Sequence, residues 1–117
     1  EHGRDEACNH ALQNNYDWIL QIDADAAPIP PGSLERILNV AYVQQPDADV
    51  VGAYCQLKHP PFLPTIDTGT GTWEQIFPGE GVLEVMRTGG HFLLTKVPSL
   101  RRFGPPWFRT RLGMRPI

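Results

Sequence analysis

Cysteines and long apolar runs are both scarce in this sequence. Its 117 residues include only two cysteines, Cys8 and Cys55, and their separation fits neither a CxxC pair nor a zinc-binding spacing. We therefore expect two free thiols in a reducing compartment. No apolar run approaches the roughly 20 residues of a bilayer-spanning helix, and the charged amino end lacks the apolar segment of a signal peptide. These absences predict a cytoplasmic protein with no transmembrane segment.

Acidic residues are missing from the last part of the chain. Residues 1–95 contain all 13 acids and four basic residues, a net charge of −9, whereas residues 96–117 contain six basic residues and carry +6. A basic segment of this kind can face phosphates, a membrane surface or nucleic acid. The acidic body disfavours nucleic acid, and a solvated end is the simpler interpretation. We therefore expect no nucleic-acid partner.

The remaining composition is that of one modest globular domain over residues 1–117. Hydrophobic residues make up 41% of the chain and charged residues 20%, which separates it from disordered sequences. Twelve prolines and 11 glycines predict long, shaped loops, the longest over residues 56–81.

Helical and strand patterns alternate in the first half of the chain. Small and apolar residues at helical spacing predict a helix over residues 3–15, and the apolar run at 16–22 predicts a buried strand. Ser33 is placed to cap a second helix that ends before Pro46. A second apolar run at residues 50–55 predicts another strand. Helix and strand in this order indicate an α/β fold with parallel strands.

The second half of the chain has a weaker pattern. Apolar residues at 82–86 and at 90–94 predict two further strands, separated by a glycine-containing turn. Pro98 suits the first turn of a short helix over residues 99–103, with Gly104 as its end.

The acidic motif Asp23-Ala24-Asp25 follows the first predicted strand. Residues two apart in an extended segment point the same way, so the two carboxylates converge. Converging carboxylate oxygens suit a hard cation such as Mg²⁺ or Mn²⁺, and ligands gather at the carboxyl ends of strands in open sheets. The competing interpretation is a turn leading into a helix, with two spare acids. A second copy of the motif, Asp47-Ala48-Asp49, precedes a strand and is expected to be a solvated turn.

Four segments, in this order, carry a resemblance to a known family. They are residues 6–12 (EACNHAL), 16–25 (YDWILQIDAD), 88–94 (TGGHFLL) and 104–108 (GPPWF). Together they resemble the asparagine-containing helix, the DxD region, the glycine-rich strand and the aromatic motif of family-2-like nucleotide-sugar glycosyltransferases. The resemblance implies a GT-A-like, Rossmann-like domain with a mainly parallel sheet flanked by helices. This chain would be its central, incomplete portion.

The resemblance also implies roles for individual residues. Asp25 would ligate Mn²⁺ or Mg²⁺, and Asp23 would share the metal or contact the ribose. The partners would be a nucleoside-diphosphate sugar and an acceptor that is a sugar, a lipid or a protein. Five residues would complete the donor and acceptor sites: Asn9, Gly89 and Gly90 on the donor side, and Trp107 and Phe108 on the acceptor side.

Two positions carry open alternatives. His91 is either a third metal ligand, as in some enzymes of this fold, or a strand histidine next to a glycine turn. The catalytic base is unknown, because residues 109–114, where the family has its acidic motif, contain no acid. Asp67, Glu80 and Glu84 are the remaining candidates, although solvated loop acids are the simpler interpretation.

Other functional classes compete with glycosyl transfer. A haloacid-dehalogenase-type phosphatase also begins with an apolar strand that ends in DxD, and Asp23 and Asp25 would then be the nucleophile and the acid/base. That class needs a later lysine followed by an acidic pair, and no acid follows Lys96. A non-catalytic module that binds a nucleotide, a sugar or a protein is the other alternative.

Overall fold

The computed structural model describes residues 2–24, 29–54, 66–67, 82–85, 87–88, 91–105 and 107. Its elements, in chain order, are α1 (His2–Gln13), β1 (Trp18–Ile22), α2 (Ser33–Asn39), a π-helical turn (Val40–Gln44), β2 (Val50–Gly52), β3 (Ile66–Asp67), β4 (Arg87–Thr88), β5 (Phe92–Lys96) and α3 (Val97–Phe103). Helices and strands alternate from α1 to β2, and α3 follows the last strand, so the α/β class is confirmed.

The main sheet has three strands in the order β1-β5-β2. β5 is central and runs antiparallel to both neighbours, with Leu94 opposite Leu20 of β1 and Val51 of β2. Its side chains from Phe92 to Thr95 are all buried, as expected for a strand covered on both sides. A separate two-stranded antiparallel pair joins β3 to β4.

Two apolar layers cover the two faces of this sheet. On one face, α1 and α3 pack through Cys8, Ala11, Val97 and Leu100, with Ile19 of β1 against them. The opposite face packs on α2 and the π-helical turn; its buried residues are Ile37, Ala41, Phe92 and Leu94. Successive side chains of a strand point to opposite faces, so Gln21 and Asp23 lie on the α1 face with Ile19. This alternation decides which helix borders the acidic motif.

A mainly parallel sheet is not confirmed, because every described strand pair is antiparallel. β1 and β2 do point in the same direction, as a strand-helix-strand unit predicts, but β5 lies between them. A fully apolar run indicates burial on both faces and carries no information on strand direction. The sequence pattern therefore located these strands without identifying their neighbours.

Three local predictions need correction. The segment 82–85 forms no strand, and Val82, Leu83 and Glu84 in it are exposed; Met86 lies outside the described residues. The strand expected at 90–94 lies two residues later, as β5. Ser33 begins α2 but does not cap it, because its hydroxyl donates to the Pro30 carbonyl at 2.6 Å. The long loop predicted at 56–81 lies outside the described residues apart from β3.

The second acidic motif joins the π-helical turn to β2, and its last residue anchors α3. Asp49 Oδ1 accepts hydrogen bonds from the Ser99 hydroxyl at 2.7 Å and from the Arg102 guanidinium at 2.6 Å. These two bonds hold the pKa of Asp49 below its ordinary value of 3.8, and the bond from Ser99 has the larger effect. The motif is therefore a turn, as predicted, but Asp49 is a structural contact and not simply a solvated acid.

Replacing Asp49 with asparagine is expected to lower the free energy of unfolding by about 1 kcal/mol at pH 7, because two bonds to a partly exposed carboxylate are weakened. Since folding lowers the pKa of Asp49, its contribution is complete above the unfolded pKa and is lost as the pH falls through the folded pKa. Urea unfolding would be measured between pH 7 and pH 2. The difference in the free energy of unfolding between wild type and D49N should become smaller below about pH 4. The control D47N, in the same exposed turn, should match wild type; equal losses in both variants would contradict the assignment.

The longest helix among the described residues is α1, with 12 residues. It extends for about 18 Å, and no helix in this part of the chain is long and apolar enough to cross a membrane.

Candidate functional site

One edge of the main sheet brings together the end of β1 and the beginning of β5. Because the two strands are antiparallel, Asp23, which follows β1, lies beside His91, which precedes β5. The Asp23 backbone N–H donates to the His91 carbonyl at 3.0 Å, which extends the ladder by one residue beyond the strands. The carboxyl end of β2 reaches the same edge, where the Ala53 N–H donates to the Phe92 carbonyl at 3.0 Å. The sheet therefore fixes Asp23 and His91 side by side.

The side chains of this pair also meet. His91 Nδ1 lies 2.9 Å from Asp23 Oδ2, and each side chain is about 30% exposed. The imidazole donates to the carboxylate when Nδ1 carries a proton, and it offers a lone pair to a cation when Nδ1 does not. The pair is thus reachable from solvent and held at close range by the backbone.

A third polar side chain reaches the same carboxylate from α1. The Arg4 guanidinium donates to Asp23 Oδ1, so the two oxygens of Asp23 have different partners. Gln21, two residues before Asp23 on the same sheet face, donates weakly through Nε2 to the Arg4 carbonyl at 3.4 Å. Gln21 is buried, and its Oε1 has no hydrogen-bond partner among the described residues. These contacts hold the start of α1 against the end of β1.

The spacing of Asp23 Oδ2 and His91 Nδ1 is that of a direct hydrogen bond, and it also equals the spacing of two neighbouring ligands of a divalent cation. Neighbouring ligands of an octahedral ion, each about 2.1 Å from its centre, are about 3.0 Å apart, and Oδ2 and Nδ1 are separated by 2.9 Å. A carboxylate combined with an imidazole suits Mn²⁺ better than the all-oxygen preference of Mg²⁺. In the part of the chain that the structure describes, no cluster of three such side chains is present. Asp25, the predicted further ligand, lies outside the described residues.

The structure places only some of the other predicted site residues. Asn9 is exposed on α1, five residues and about 7.5 Å along the helix axis from Arg4. Gly89, Gly90 and Phe108 lie outside the described residues, as does Glu80. Glu84, a candidate base, is exposed in the segment 82–85.

Trp107, predicted to shape an acceptor site, makes structural contacts. Its backbone N–H donates to the Asp5 carboxylate at 3.0 Å, and its indole N–H donates to the Leu100 carbonyl at 2.9 Å. The ring packs partly buried against the cluster of α1 and α3. Trp107 therefore ties the end of the described chain to α1, and its role in acceptor binding stays a prediction.

Sequence reasoning overlooked Arg4 and Gln21. Arg4 precedes the buried Cys8 by four residues and so lies on the same helix face. This spacing was the available signal that an arginine on α1 would face the sheet. Gln21 interrupts the apolar run of β1 at a position that alternates with Ile19, which likewise places it on the α1 face.

A groove of about 580 Å³ lies at the opposite edge of the sheet, where β1 and β2 begin. Lys96 donates to the Pro46 carbonyl at 2.7 Å and lies 4.7 Å from the centre of the Tyr42 ring. With Asp49 bound to Ser99 and Arg102, the charged groups of this groove largely satisfy one another. We therefore interpret the groove as the place where α3 packs on the turn before β2.

No known family model matches the chain, and no curated protein or solved structure matches it. Its likeness to glycosyltransferases thus stays a prediction based on its own residues.

Proposed function

We propose that this chain carries the cation-dependent donor site of a nucleotide-sugar glycosyltransferase. The observation that supports the proposal most directly is the meeting of Asp23 Oδ2 and His91 Nδ1, 2.9 Å apart, where a DxD motif follows a strand. The two residues lie 68 positions apart in the chain, and the antiparallel pairing of β1 with β5 brings them together. The reaction itself, transfer of a sugar to an acceptor hydroxyl, is inferred from the resemblance of the four segments.

Each candidate residue has a role in this proposal. Asp23, His91 and Asp25 hold the cation, which when bound offsets negative charge on the departing nucleoside diphosphate. Asn9, Gly89 and Gly90 border the donor; glycines permit a close approach of the backbone to a ligand. Trp107 and Phe108 border the acceptor. The catalytic base stays unassigned.

The phosphatase alternative requires Asp23 as a free nucleophile. In the structure, Arg4 and His91 each contact one of the two carboxylate oxygens of Asp23. These contacts stabilise the negative charge of the carboxylate and so reduce its tendency to attack phosphorus. The alternative of a non-catalytic binding module is retained, because such a module would use the same residues without turnover.

Replacing Asp23 with asparagine is expected to weaken Mn²⁺-dependent nucleotide binding at least about tenfold. Thermal unfolding of the 117-residue chain would be followed with UDP and with GDP, each with and without Mn²⁺. A ligand at one hundred times its Kd stabilises the folded state by about 2.7 kcal/mol. Wild type should therefore melt several degrees higher with one of the two nucleotides, and only when Mn²⁺ is present.

The chain supplies a matched control for this experiment in its second acidic motif. D47N makes the same chemical change at an exposed DxD position and should keep the full nucleotide-dependent shift. Loss of the shift in D23N alone supports the donor site. If neither nucleotide raises the melting temperature of wild type, the proposal is wrong. If one nucleotide does bind, release of nucleoside diphosphate from the matching nucleotide sugar would distinguish an enzyme from a non-catalytic binding module.

A further inference from the structure

We propose that the open edge of β1 binds the same edge of a second copy of this chain, so that two three-stranded sheets join into one. The inference goes beyond the proposed function and does not depend on it. Three observations carry it: the direction of the backbone groups of β1, the uncharged sequence of the strand, and the symmetry of its outward-facing residues about Leu20.

The hydrogen-bond pattern shows which backbone groups of β1 face away from β5. The Asp23 N–H donates to the His91 carbonyl, and the Val97 N–H donates to the Asp17 carbonyl, each at 3.0 Å. Bonded and non-bonded pairs alternate in an antiparallel ladder, so every second residue from Asp17 to Asp23 directs its backbone groups to β5. The residues between them direct theirs outward: Trp18, Leu20 and Ile22. No residue that the structure describes bonds to the backbone of these three on that side.

The sequence of β1, Trp-Ile-Leu-Gln-Ile, lacks the features that protect natural edge strands from pairing. It contains no charge, no proline and no glycine, and tryptophan and isoleucine both favour strands. Ile22 at its end is 45% exposed. At the other edge of the sheet, β2 has only three residues, and its Gly52 lies close to Thr88 of β4. Among the described strands of the main sheet, β1 therefore offers the longer open edge.

An antiparallel copy of β1 matches this edge in a symmetric register. Centred on Leu20, the register sets Leu20 opposite itself and Trp18 opposite Ile22 of the second copy. Every outward-facing residue thus meets another, and each pair exchanges two N–H···O bonds, about six in all. The same side chains lie on the face that α2 covers, where they form apolar cross-strand pairs. The two-fold axis uses both β1 edges, so association ends at a dimer.

Charge limits the strength of this pairing. The same register brings Asp17 opposite Asp23 of the second copy. Arg4 and His91 contact the Asp23 carboxylate and offset part of its charge, whereas Asp17 is exposed. Some repulsion therefore remains at each end of the paired strands. Because strands of only five residues also bury a small area, we expect a weak and reversible dimer.

Sedimentation equilibrium of the 117-residue chain would measure this association. Wild type is expected to dimerise with a Kd of about 10–100 µM. Replacing Ile22 with lysine sets a charge on the paired edge, opposite Trp18 of the second copy, and is expected to weaken dimerisation at least about tenfold. D17N removes the repulsion at the strand ends and is expected to tighten the dimer about two- to fivefold.

The matched control is V50K, because Val50 is also β-branched, lies on the other edge strand and is 46% exposed. V50K should dimerise as wild type does. If I22K and V50K weaken the dimer equally, the contact is not specific to β1 and the inference is overturned. A wild type that stays monomeric at about 500 µM also overturns it, and the β1 edge is then left to a strand of another protein.

Hydrogen exchange followed by nuclear magnetic resonance provides a test on wild type alone, in case I22K does not fold. The outward-facing amides of Trp18, Leu20 and Ile22 should be protected at high protein concentration and exchange rapidly at low concentration. The amides of Ile19 and Gln21 face β5 and should be protected at both concentrations. A dimer whose outward-facing amides exchange equally fast at both concentrations uses another surface, and the inference is then wrong.

Discussion

Replacing Leu94 with alanine is expected to lower the free energy of unfolding by about 2–5 kcal/mol. Leu94 is fully buried at the centre of the middle strand, between Leu20 of β1 and Val51 of β2. Its side chain also contacts the cluster that joins α2 to the sheet. Truncation would remove apolar contact in several directions and leave a cavity that a strand paired on both sides cannot collapse to fill. Against a typical total of about 5–15 kcal/mol, this is a large fraction of the stability.

Urea unfolding followed by tryptophan fluorescence would measure this loss. The matched control is L34A, because Leu34 lies on α2 with 40% of its surface exposed and alanine is a good helix residue. L34A should lose less than about 1 kcal/mol. Comparable losses in L94A and L34A would show that Leu94 does not lie at the centre of the core.

Replacing Gly52 with alanine is expected to lower the free energy of unfolding by about 1–3 kcal/mol, through overpacking. A Cβ atom at this position of β2 would lie 2.6 Å from Oγ1, 2.8 Å from Cγ2 and 3.2 Å from Cβ of Thr88. The Thr88 side chain is short and β-branched, so it has no flexible end that can move away. The pair of strands β3 and β4 would have to shift away from the main sheet.

A double-mutant cycle identifies the cause of this loss. Combining G52A with T88G removes all three atoms in the clash, so the double variant should lose less than the sum of the two single variants. The control G3A adds a Cβ where nothing lies within 4 Å, and alanine in a helix is expected to raise stability by up to about 1 kcal/mol. Additive losses at Gly52 and Thr88 would exclude the proposed contact.

Local patterns predicted the helices well and the strands less completely. Helical spacing of small and apolar residues located α1, and Pro98 together with Gly104 bounded α3, because these signals act within one or two turns of the chain. The predicted strand at 82–86 failed because a short apolar run becomes a strand only when a partner edge is available. The same limit explains why β5 begins two residues later than predicted: hydrogen bonds to β1 and β2 decide its ends.

Sequence by itself determined the α/β class, the approximate positions of β1 and β2, and the presence of acids directly after β1, although β1 is only half-buried. These features depend on the period of apolar residues and on chain neighbours, which a sequence displays directly. Tertiary structure alone decided that β5 lies between β1 and β2, that His91 therefore meets Asp23, and that Arg4 reaches the same carboxylate from α1. The reason is physical: burial is encoded locally, whereas the choice of strand partner and its direction depends on which elements, distant in the chain, pack together.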